Sequence, residues 1–158
     1  MKAFVTCYSR TGTTLKVAEE IARALGCDME QIITRDDPGK GVIGFLTAGM
    51  NSILDAGMKV RRLEHDLESH GLVVIGTPVW AGRISNPVRK ILEVFHGKLS
   101  KVAFFSTYGM ACPASLFDEM ARKIGKEPID TLALHVDEVN SGRGSEKIMA
   151  FVETLKRA

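Results

Sequence analysis

The sequence predicts an α/β domain in which a parallel sheet is covered by helices on both faces. Two observations lead to this prediction. Short, continuous apolar runs are typical of strands buried on both faces, and they alternate with longer stretches in which apolar residues recur at helical spacing. A repeated order of strand and then helix builds a parallel sheet through crossover connections.

Five segments are predicted to be strands. Four of them are apolar, although the last alternates more than the others: Ala3 to Cys7, Leu72 to Ile75, Val102 to Phe105, and Thr131 to Val136. The fifth, Met29 to Ile33, is short and partly polar. Because edge strands are less buried than central ones, we expect Met29 to Ile33 and Thr131 to Val136 to form the two edges of the sheet.

Helical periodicity follows four of the strands. The apolar positions that carry it lie within these ranges: Leu15 to Leu25, Val88 to Phe95, Leu116 to Ile124, and Ile148 to Leu155. Gly26 and Gly125 stand where helix ends are expected. Asn86-Pro87 supplies a cap residue followed by proline at a first helical position, so the second of these helices should begin there.

One domain over residues 1–158 is expected, since no internal repeat, low-complexity stretch or linker divides the chain. One connection, Arg35 to Gly71, is longer than a plain crossover requires, and it contains the mostly apolar stretch Val42 to Leu54. We expect this stretch to be a crossover helix packed on the sheet. A flap or a dimer surface is the alternative.

Composition excludes several classes of protein. The formal net charge of +2 lacks the bias of a nucleic-acid binder. Cys7, Cys27 and Cys112 are too scattered for a disulfide framework, and no histidine or cysteine spacing suggests a metal site. No stretch approaches the roughly eighteen apolar residues needed to cross a bilayer. We therefore expect a soluble, cytoplasmic protein.

The segment Tyr8 to Thr14 connects the first strand directly to the first helix. Four of its seven residues carry Ser or Thr hydroxyls, and Gly12 would let a ligand approach the backbone. Helix N-termini at the carboxyl ends of parallel strands offer unpaired N–H groups to phosphate, so a phosphate site is predicted. The alternative is an ordinary capping turn, although Lys16 rather than Glu stands three residues after Thr13.

Other phosphate-binding motifs are absent. The sequence contains neither GxxxxGK[ST] nor GxGxxG, which excludes the P-loop hydrolases and the dinucleotide-binding fold. A small tyrosine phosphatase would place a cysteine at the position of Cys7. Its C-x5-R loop would need Arg where this chain has Thr13, so that class is excluded as well.

Two segments resemble flavodoxins. Ser9-Arg10-Thr11-Gly12-Thr13-Thr14 resembles their [ST]-x-T-G-x-T signature, and Gly76 to Ser85, GTPVWAGRIS, looks like the TPVWAG loop of flavodoxin-family proteins. The resemblance implies the flavodoxin-like fold, a doubly wound three-layer sandwich with a five-stranded parallel sheet in the order 2-1-3-4-5. It also implies a ligand at the switch point between the first and third strands.

The same resemblance implies FMN as the cofactor and assigns its contacts. The phosphate would be held by Ser9, Arg10, Thr11, Gly12, Thr13 and Thr14. The isoalloxazine would lie beside Pro78, Val79, Trp80, Ala81 and Gly82, and its pyrimidine edge beside Thr107, Tyr108 and Gly109. Trp80 and Tyr108 are the candidate stacking partners, with ordinary packing as the alternative for each. Neither catalytic side chains nor metal ligands are expected.

The charge near the expected flavin differs from that of many electron-carrying flavodoxins, which are strongly acidic. No carboxylate occurs between Thr77 and Lys90, whereas Arg83 and Arg89 are basic. Three functions stay open: an electron-transfer module, an NAD(P)H-dependent FMN quinone reductase-type enzyme, and a flavin-free regulatory or interaction domain. The expected partner is a redox protein or a small-molecule acceptor such as a quinone, and a homodimer is left open.

Overall fold

The computed structural model describes residues 1–34, 52–55, 58–61 and 63–158. Its strands are β1 (Ala3–Tyr8), β2 (Asp28–Ile32), β3 (Ser52–Asp55), β4 (Met58–Arg61), β5 (Leu72–Trp80), β6 (Arg83–Ile84), β7 (Val102–Tyr108) and β8 (Thr131–His135). Its helices are α1 (Thr13–Leu25), α2 (Asn86–Val94), α3 (Ser115–Ile124), α4 (Val136–Ser141) and α5 (Ser145–Arg157).

In this part of the chain, five parallel strands form a sheet in the order β2-β1-β5-β7-β8, and β6 adds an antiparallel pair to the end of β5. Counted among the parallel strands alone, the order is 2-1-3-4-5, which confirms the predicted topology. The prediction of the two edge strands is confirmed as well, since β2 and β8 lie at the ends of the sheet.

Helices cover both faces of the sheet, as predicted. On one face, Phe4 and Phe104 share a buried cluster with apolar residues of α2 and α3, including Ile91 and Met120. On the other face, a second buried cluster joins Val5, Val74 and Phe105 of the strands to Ile21 of α1 and Phe151 of α5. Consecutive strand residues point to opposite faces, and this alternation divides the core into two layers.

β5 extends farther than the sequence predicts. Its parallel pairing with β7 continues to Pro78 opposite Thr107, and Trp80 then pairs with Arg83 of β6. The segment expected to be a loop after Ile75 therefore begins as the end of the central strand. Only two residues, Ala81 and Gly82, separate β5 from β6.

The helix ends agree with the prediction except at the start of α2. Gly26 and Gly125 follow α1 and α3 in the left-handed conformation, with φ values of 66° and 72°. The N-cap of α2 is Ser85, with extended backbone, so the prediction of Asn86 as the cap is wrong by one residue. Pro87 then lies in the first turn, where its missing N–H costs no hydrogen bond.

Residues 42–51 of the predicted crossover helix Val42 to Leu54 lie outside the described residues. Its last three residues belong to β3, which pairs antiparallel with β4, so the helix prediction is wrong for that part. Thr34 forms an isolated bridge with Val60, whose side chain is buried in the cluster beneath α2 and α3. β4, which lies within the long connection, is therefore bridged to the chain two residues after β2.

Among the described helices, none is both long enough and apolar enough to cross a bilayer.

Candidate functional site

Three connections meet at the carboxyl edge of the sheet. The first loop (Ser9–Gly12) joins β1 to α1, the turn Ala81-Gly82 joins β5 to β6, and the third loop (residues 109–114) joins β7 to α3. Because β5 lies between β1 and β7, the turn emerges between the other two connections. A Cβ atom placed on Gly82 would lie 3.6 Å from Pro113 Cγ, so the turn packs against the third loop.

The first loop opens an uncapped helix. Gly12 is in the left-handed conformation with φ of 96°, and no side chain in the described structure caps α1. The first turn of α1 contains no acidic residue. The unpaired N–H groups and the positive end of the helix dipole are therefore available to an anion.

Hydrogen bonds fix the shape of this loop. The N–H of Gly12 donates to Ser9 Oγ at 3.1 Å, and Gln31 Nε2 on β2 donates to the Ser9 carbonyl at 2.8 Å. Thr14 is almost fully buried, and its hydroxyl lies 2.7 Å from that of Thr107 at the end of β7. Ser9 and Thr14 thus hold the loop in place, and their hydroxyls are already engaged.

The remaining polar groups of the loop are accessible. Thr11 and Arg10 are exposed, and Thr13 is half-buried at the first position of α1. Arg10 makes no ion pair with any residue that the structure describes. The groups best able to reach a ligand are therefore the hydroxyls of Thr11 and Thr13 and the backbone N–H groups that begin α1.

The turn between β5 and β6 has the geometry of a type I′ hairpin. Ala81 and Gly82 both have positive φ, 49° and 71°, as that turn type requires, and Ala81 is the one non-glycine residue with positive φ in the described chain. At the base of the hairpin, Thr77 Oγ1 accepts a hydrogen bond from the N–H of Ser85 at 3.1 Å. The hairpin is thus fastened to the start of α2.

Trp80 lies at the end of β5 and is half-buried. Its ring meets the buried ring of Tyr8 edge to face, with centroids 5.4 Å apart. Pro78 and Val79, which precede it in the strand, are half-buried as well. An aromatic surface therefore stands between the first loop and the hairpin turn, where a flat ligand could pack.

Tyr108 ends β7, and Gly109 begins the third loop. Tyr108 is half-buried and contacts the imidazole of His135 edge to face at 5.4 Å, while His135 Nε2 lies 2.9 Å from the Gly109 carbonyl oxygen. Gly109 and Met110 are exposed. Cys112, farther along, lies with its Sγ 3.4 Å from Ser106 Oγ.

The expected set of site residues does not include His135, whose Nε2 lies 2.9 Å from the Gly109 carbonyl oxygen. The sequence held one signal for it, since His135 is followed three residues later by Glu138, which is the spacing of a capping box. The structure contains that box at the start of α4. Ser85 and Thr77, which fasten the hairpin, also lay outside the expected set of site residues.

Charge around the three connections is positive. Arg10 and Arg83 are both exposed, and neither the loops nor β6 contain Asp or Glu. Glu138 in α4, which follows β8, pairs with Lys147. The hydrogen bond from Lys147, followed by that from the backbone of His135, lowers the pKa of the Glu138 carboxyl.

Cys7 lies at the end of β1, where a phosphatase would carry its nucleophile. The residue is fully buried, and burial raises the pKa of its thiol to about 12. A thiol so protonated is a poor nucleophile at neutral pH, which agrees with the exclusion of the phosphatases.

In the described structure, no three His, Cys, Asp or Glu side chains lie close enough to hold a metal ion.

Known structures resemble this chain over nearly its whole length. A flavoprotein from Lactobacillus acidophilus, in complex with FMN, superposes with a TM-score of 0.61 at 19% identity, covering 89% of this chain and 97% of the other. Flavodoxin 1 from Bacillus cereus superposes with a TM-score of 0.60 at 16% identity, covering 99% of this chain and 98% of the other. The two-electron reduced flavodoxin from Megasphaera elsdenii superposes with a TM-score of 0.55 at 18% identity, covering 96% of this chain and 98% of the other.

No protein-family model matches the sequence, and no curated protein matches it significantly. The structural likenesses, together with the strand order, show that the chain has the flavodoxin-like fold.

Proposed function

We propose that this chain binds FMN at the carboxyl edge of its sheet and passes electrons through the bound flavin to a partner. The observation that carries the proposal is the uncapped N-terminus of α1 at the carboxyl edge of the sheet, the same edge at which β5 and β7 end with the half-buried rings of Trp80 and Tyr108. Structural neighbours that are flavodoxins, and one that is in complex with FMN, support the same cofactor.

The first loop fits the phosphate of FMN. Its backbone N–H groups and the accessible hydroxyls of Thr11 and Thr13 are donors, and no carboxylate opposes an anion there. If about five donors each contribute roughly 1.5 kcal/mol, the gross gain is close to the roughly 8 kcal/mol of a micromolar complex. Association costs reduce this, so the phosphate site alone binds weakly and needs a second anchoring surface.

The second surface fits the isoalloxazine. Trp80 offers part of an aromatic face beside the hairpin turn, and Tyr108 offers another at the third loop. A Cβ atom on Gly109 would meet nothing within 4 Å, so the backbone there is open to a close approach. A ring held between these elements would contact backbone groups of Gly82 and Gly109 at its polar edge.

Bound FMN supplies the redox chemistry, and the chain binds the cofactor and sets the charge around it. Arg83 follows the hairpin turn directly and leaves a positive charge near the ring site. An electron carrier needs no further catalytic side chain, because electrons leave through the accessible edge of the flavin. A redox partner protein that docks at this edge is the partner we propose.

Binding can be tested by titrating the apoprotein with FMN and following the quenching of flavin fluorescence. Riboflavin, which lacks the phosphate, should bind more weakly if the first loop holds that group. Gly12→Ala places a side chain at φ 96°, and Gly26→Ala is a matched control at φ 66° on the far end of α1; neither added Cβ meets an atom within 4 Å.

Both substitutions should destabilise the fold by about 1 kcal/mol, but only Gly12→Ala should weaken the binding of FMN. An apoprotein that stays colourless after mixing with FMN would contradict the proposal and favour a flavin-free interaction domain.

A second measurement tests the type of redox reaction. Absorption spectra recorded during stepwise reduction of the FMN complex distinguish single-electron steps from a concerted two-electron step. An electron carrier should show separate single-electron steps and no appreciable oxidation of NAD(P)H in the presence of a quinone. Rapid NAD(P)H-dependent quinone reduction would instead identify a quinone reductase-type enzyme.

A further inference from the structure

We infer that His135 is a positioning residue that orients the third loop for the cofactor, an inference that rests on the proposed binding of FMN. His135 is the last residue of β8, next to β7 in the sheet. Its ring contacts the last residue of β7, Tyr108, edge to face, and it contacts the first residue of the third loop through the 2.9 Å contact with the Gly109 carbonyl.

The contacts of His135 fix which ring nitrogen carries the proton. The backbone N–H of Asp137 donates to Nδ1 at 3.1 Å, so Nδ1 is the acceptor of the neutral imidazole. The proton then resides on Nε2, which donates it to the Gly109 carbonyl. The N–H of His135 itself donates to Glu138 Oε2 at 2.9 Å, and this bond completes the capping box that starts α4.

The imidazole is therefore held at both nitrogens, by α4 at Nδ1 and by the Gly109 carbonyl at Nε2. The capping box fixes Nδ1 against the backbone of α4, and Lys147 in turn holds the Glu138 carboxylate. The carboxylate of Asp137 lies 3.5 Å from Nδ1, which is longer than a normal N–H···O hydrogen bond, so the partner of Nδ1 is the backbone N–H of Asp137 at 3.1 Å. With its orientation set by α4, the imidazole presents Nε2–H to the third loop in one direction.

This contact sets the orientation of the peptide between Gly109 and Met110. In a trans peptide the C=O and N–H groups point in opposite directions. Because the Gly109 carbonyl is directed at His135 on β8, the N–H of Met110 points away from β8, toward the side on which β5 and its hairpin turn lie. That is the side on which the flavin is proposed to bind.

Gly109 needs such a restraint. The residue is exposed and has no Cβ, so more backbone conformations are accessible to it than to other residues. The hydrogen bond from His135 selects one of them before the cofactor arrives. A loop already in its binding conformation loses less conformational entropy when the ligand binds.

Two substitutions distinguish the contact at Nδ1 of His135 from the contact at Nε2. In His135→Asn, the side-chain oxygen can still accept from the N–H of Asp137, since Asn is among the best N-cap residues, but the side chain is too short to reach Gly109. In His135→Gln, the amide nitrogen can reach the position of Nε2 and donate to Gly109, but Gln caps poorly.

We expect His135→Asn to weaken the binding of FMN by about three- to tenfold while the thermal midpoint of the apoprotein is preserved. We expect His135→Gln to lower the thermal midpoint and to keep the affinity for FMN within about twofold of the original protein. FMN titration and thermal unfolding of the full chain measure both. If His135→Asn binds FMN as tightly as the unaltered protein, or if affinity follows the thermal midpoint in both variants, the inference is overturned.

A measurement without FMN separates failure of this inference from failure of the proposed function. Long-range ¹H–¹⁵N NMR of the apoprotein reports which imidazole nitrogen is protonated. The positioning role is supported, even if FMN fails to bind, by an Nε2–H tautomer of His135. It is also supported if the backbone chemical shifts of Gly109 change in His135→Asn and stay close to those of the unaltered protein in His135→Gln. An Nδ1–H tautomer would refute it whatever the affinity for FMN.

Discussion

The hydroxyl oxygens of Thr14 and Thr107 lie 2.7 Å apart in the interior, although β5 separates β1 from β7 in the sheet. The contact ties the first turn of α1, where we propose the phosphate binds, to the strand that leads into the third loop. Both residues are almost fully buried, at 2% and 4% exposure. Two of the three elements of the proposed site are thus joined by one hydrogen bond.

Replacing Thr14 with Val keeps the shape of the side chain and removes its hydroxyl. The hydroxyl of Thr107 then loses its buried partner, so we expect the free energy of unfolding to fall by about 1 to 3 kcal/mol. Urea denaturation measures the loss. Thr14→Ser keeps the hydroxyl and should recover most of the stability. A Thr14→Val protein as stable as the unaltered one, together with a destabilised Thr14→Ser protein, would argue that the methyl group, and not the hydrogen bond, matters.

Gly76 allows the ring of Phe105 to lie across β5. A Cβ atom on Gly76 would come within 2.0 Å of Phe105 Cζ, and the two residues are register partners in β5 and β7. Gly76→Ala should therefore lower the free energy of unfolding by about 1 to 3 kcal/mol or more through overpacking. Gly109→Ala is the control, because nothing would meet its added Cβ within 4 Å. A Gly76→Ala protein as stable as the control would disprove the clash.

The charge of Arg83 should affect the potential of bound FMN. The reduced flavin tends to carry a negative charge, which a nearby cation favours and a carboxylate opposes. Reversing the charge in Arg83→Glu should make the potential more negative by roughly 10 to 40 mV at low ionic strength, and salt should diminish the shift. Arg157→Glu, at the end of α5, is the matched control. The idea is abandoned if a redox titration gives equal potentials for the two variants.

Glu138 should make a small contribution to stability that depends on pH. Its pKa in the folded protein is lowered from 4.5, mainly by the hydrogen bond from Lys147. A carboxyl with a lowered folded pKa stabilises the fold above its unfolded pKa, and this contribution disappears as the pH falls through the folded pKa. Glu138→Gln should therefore be less stable than the unaltered protein at neutral pH, and the difference should shrink below pH 4.5.

Urea denaturation at a series of pH values tests this prediction, with Glu153→Gln on α5 as a control for an exposed carboxylate. A difference that stays constant from neutral to acid pH would show that the stabilisation does not come from the ionised carboxyl.

The three cysteines should react at different rates with a thiol reagent at pH 8. Burial, and to a smaller extent Glu19, raises the pKa of Cys7 to about 12, and burial with Asp28 raises that of Cys27 to about 11. Both should stay largely unmodified until the protein unfolds. Mass spectrometry after brief labelling should find Cys112, half-buried in the third loop, modified before Cys7. Early modification of Cys7 would mean that β1 opens readily.

The strand order and the edges of the sheet could be predicted because they follow from local patterns. Apolar runs, helical spacing and glycine at helix ends are all visible within a few residues. The extension of β5 was missed because it depends on partners. Pro78 gains its place in the strand from Thr107 in β7, and Trp80 gains its place from Arg83 across the turn.

The candidate site shows the same limit. The first loop could be located from its own residues, whereas the burial of the Thr14 hydroxyl depends on Thr107, which lies 93 positions away. The contact of His135 with Gly109 spans 26 positions. Local sequence showed which residues could bind a ligand, and long-range contacts decided which of them are engaged in holding the structure.

The central place of β5 has a consequence for folding. Its partners β1 and β7 flank it on both sides, and Ala3 pairs with Leu72, so the sheet cannot close before distant parts of the chain meet. Contacts of such long range form slowly. Since the hairpin is the end of β5, we expect the cofactor site to be completed late in folding, and adding FMN should slow unfolding without accelerating refolding. Stopped-flow kinetics that showed faster refolding with FMN would instead place the site in the folding nucleus.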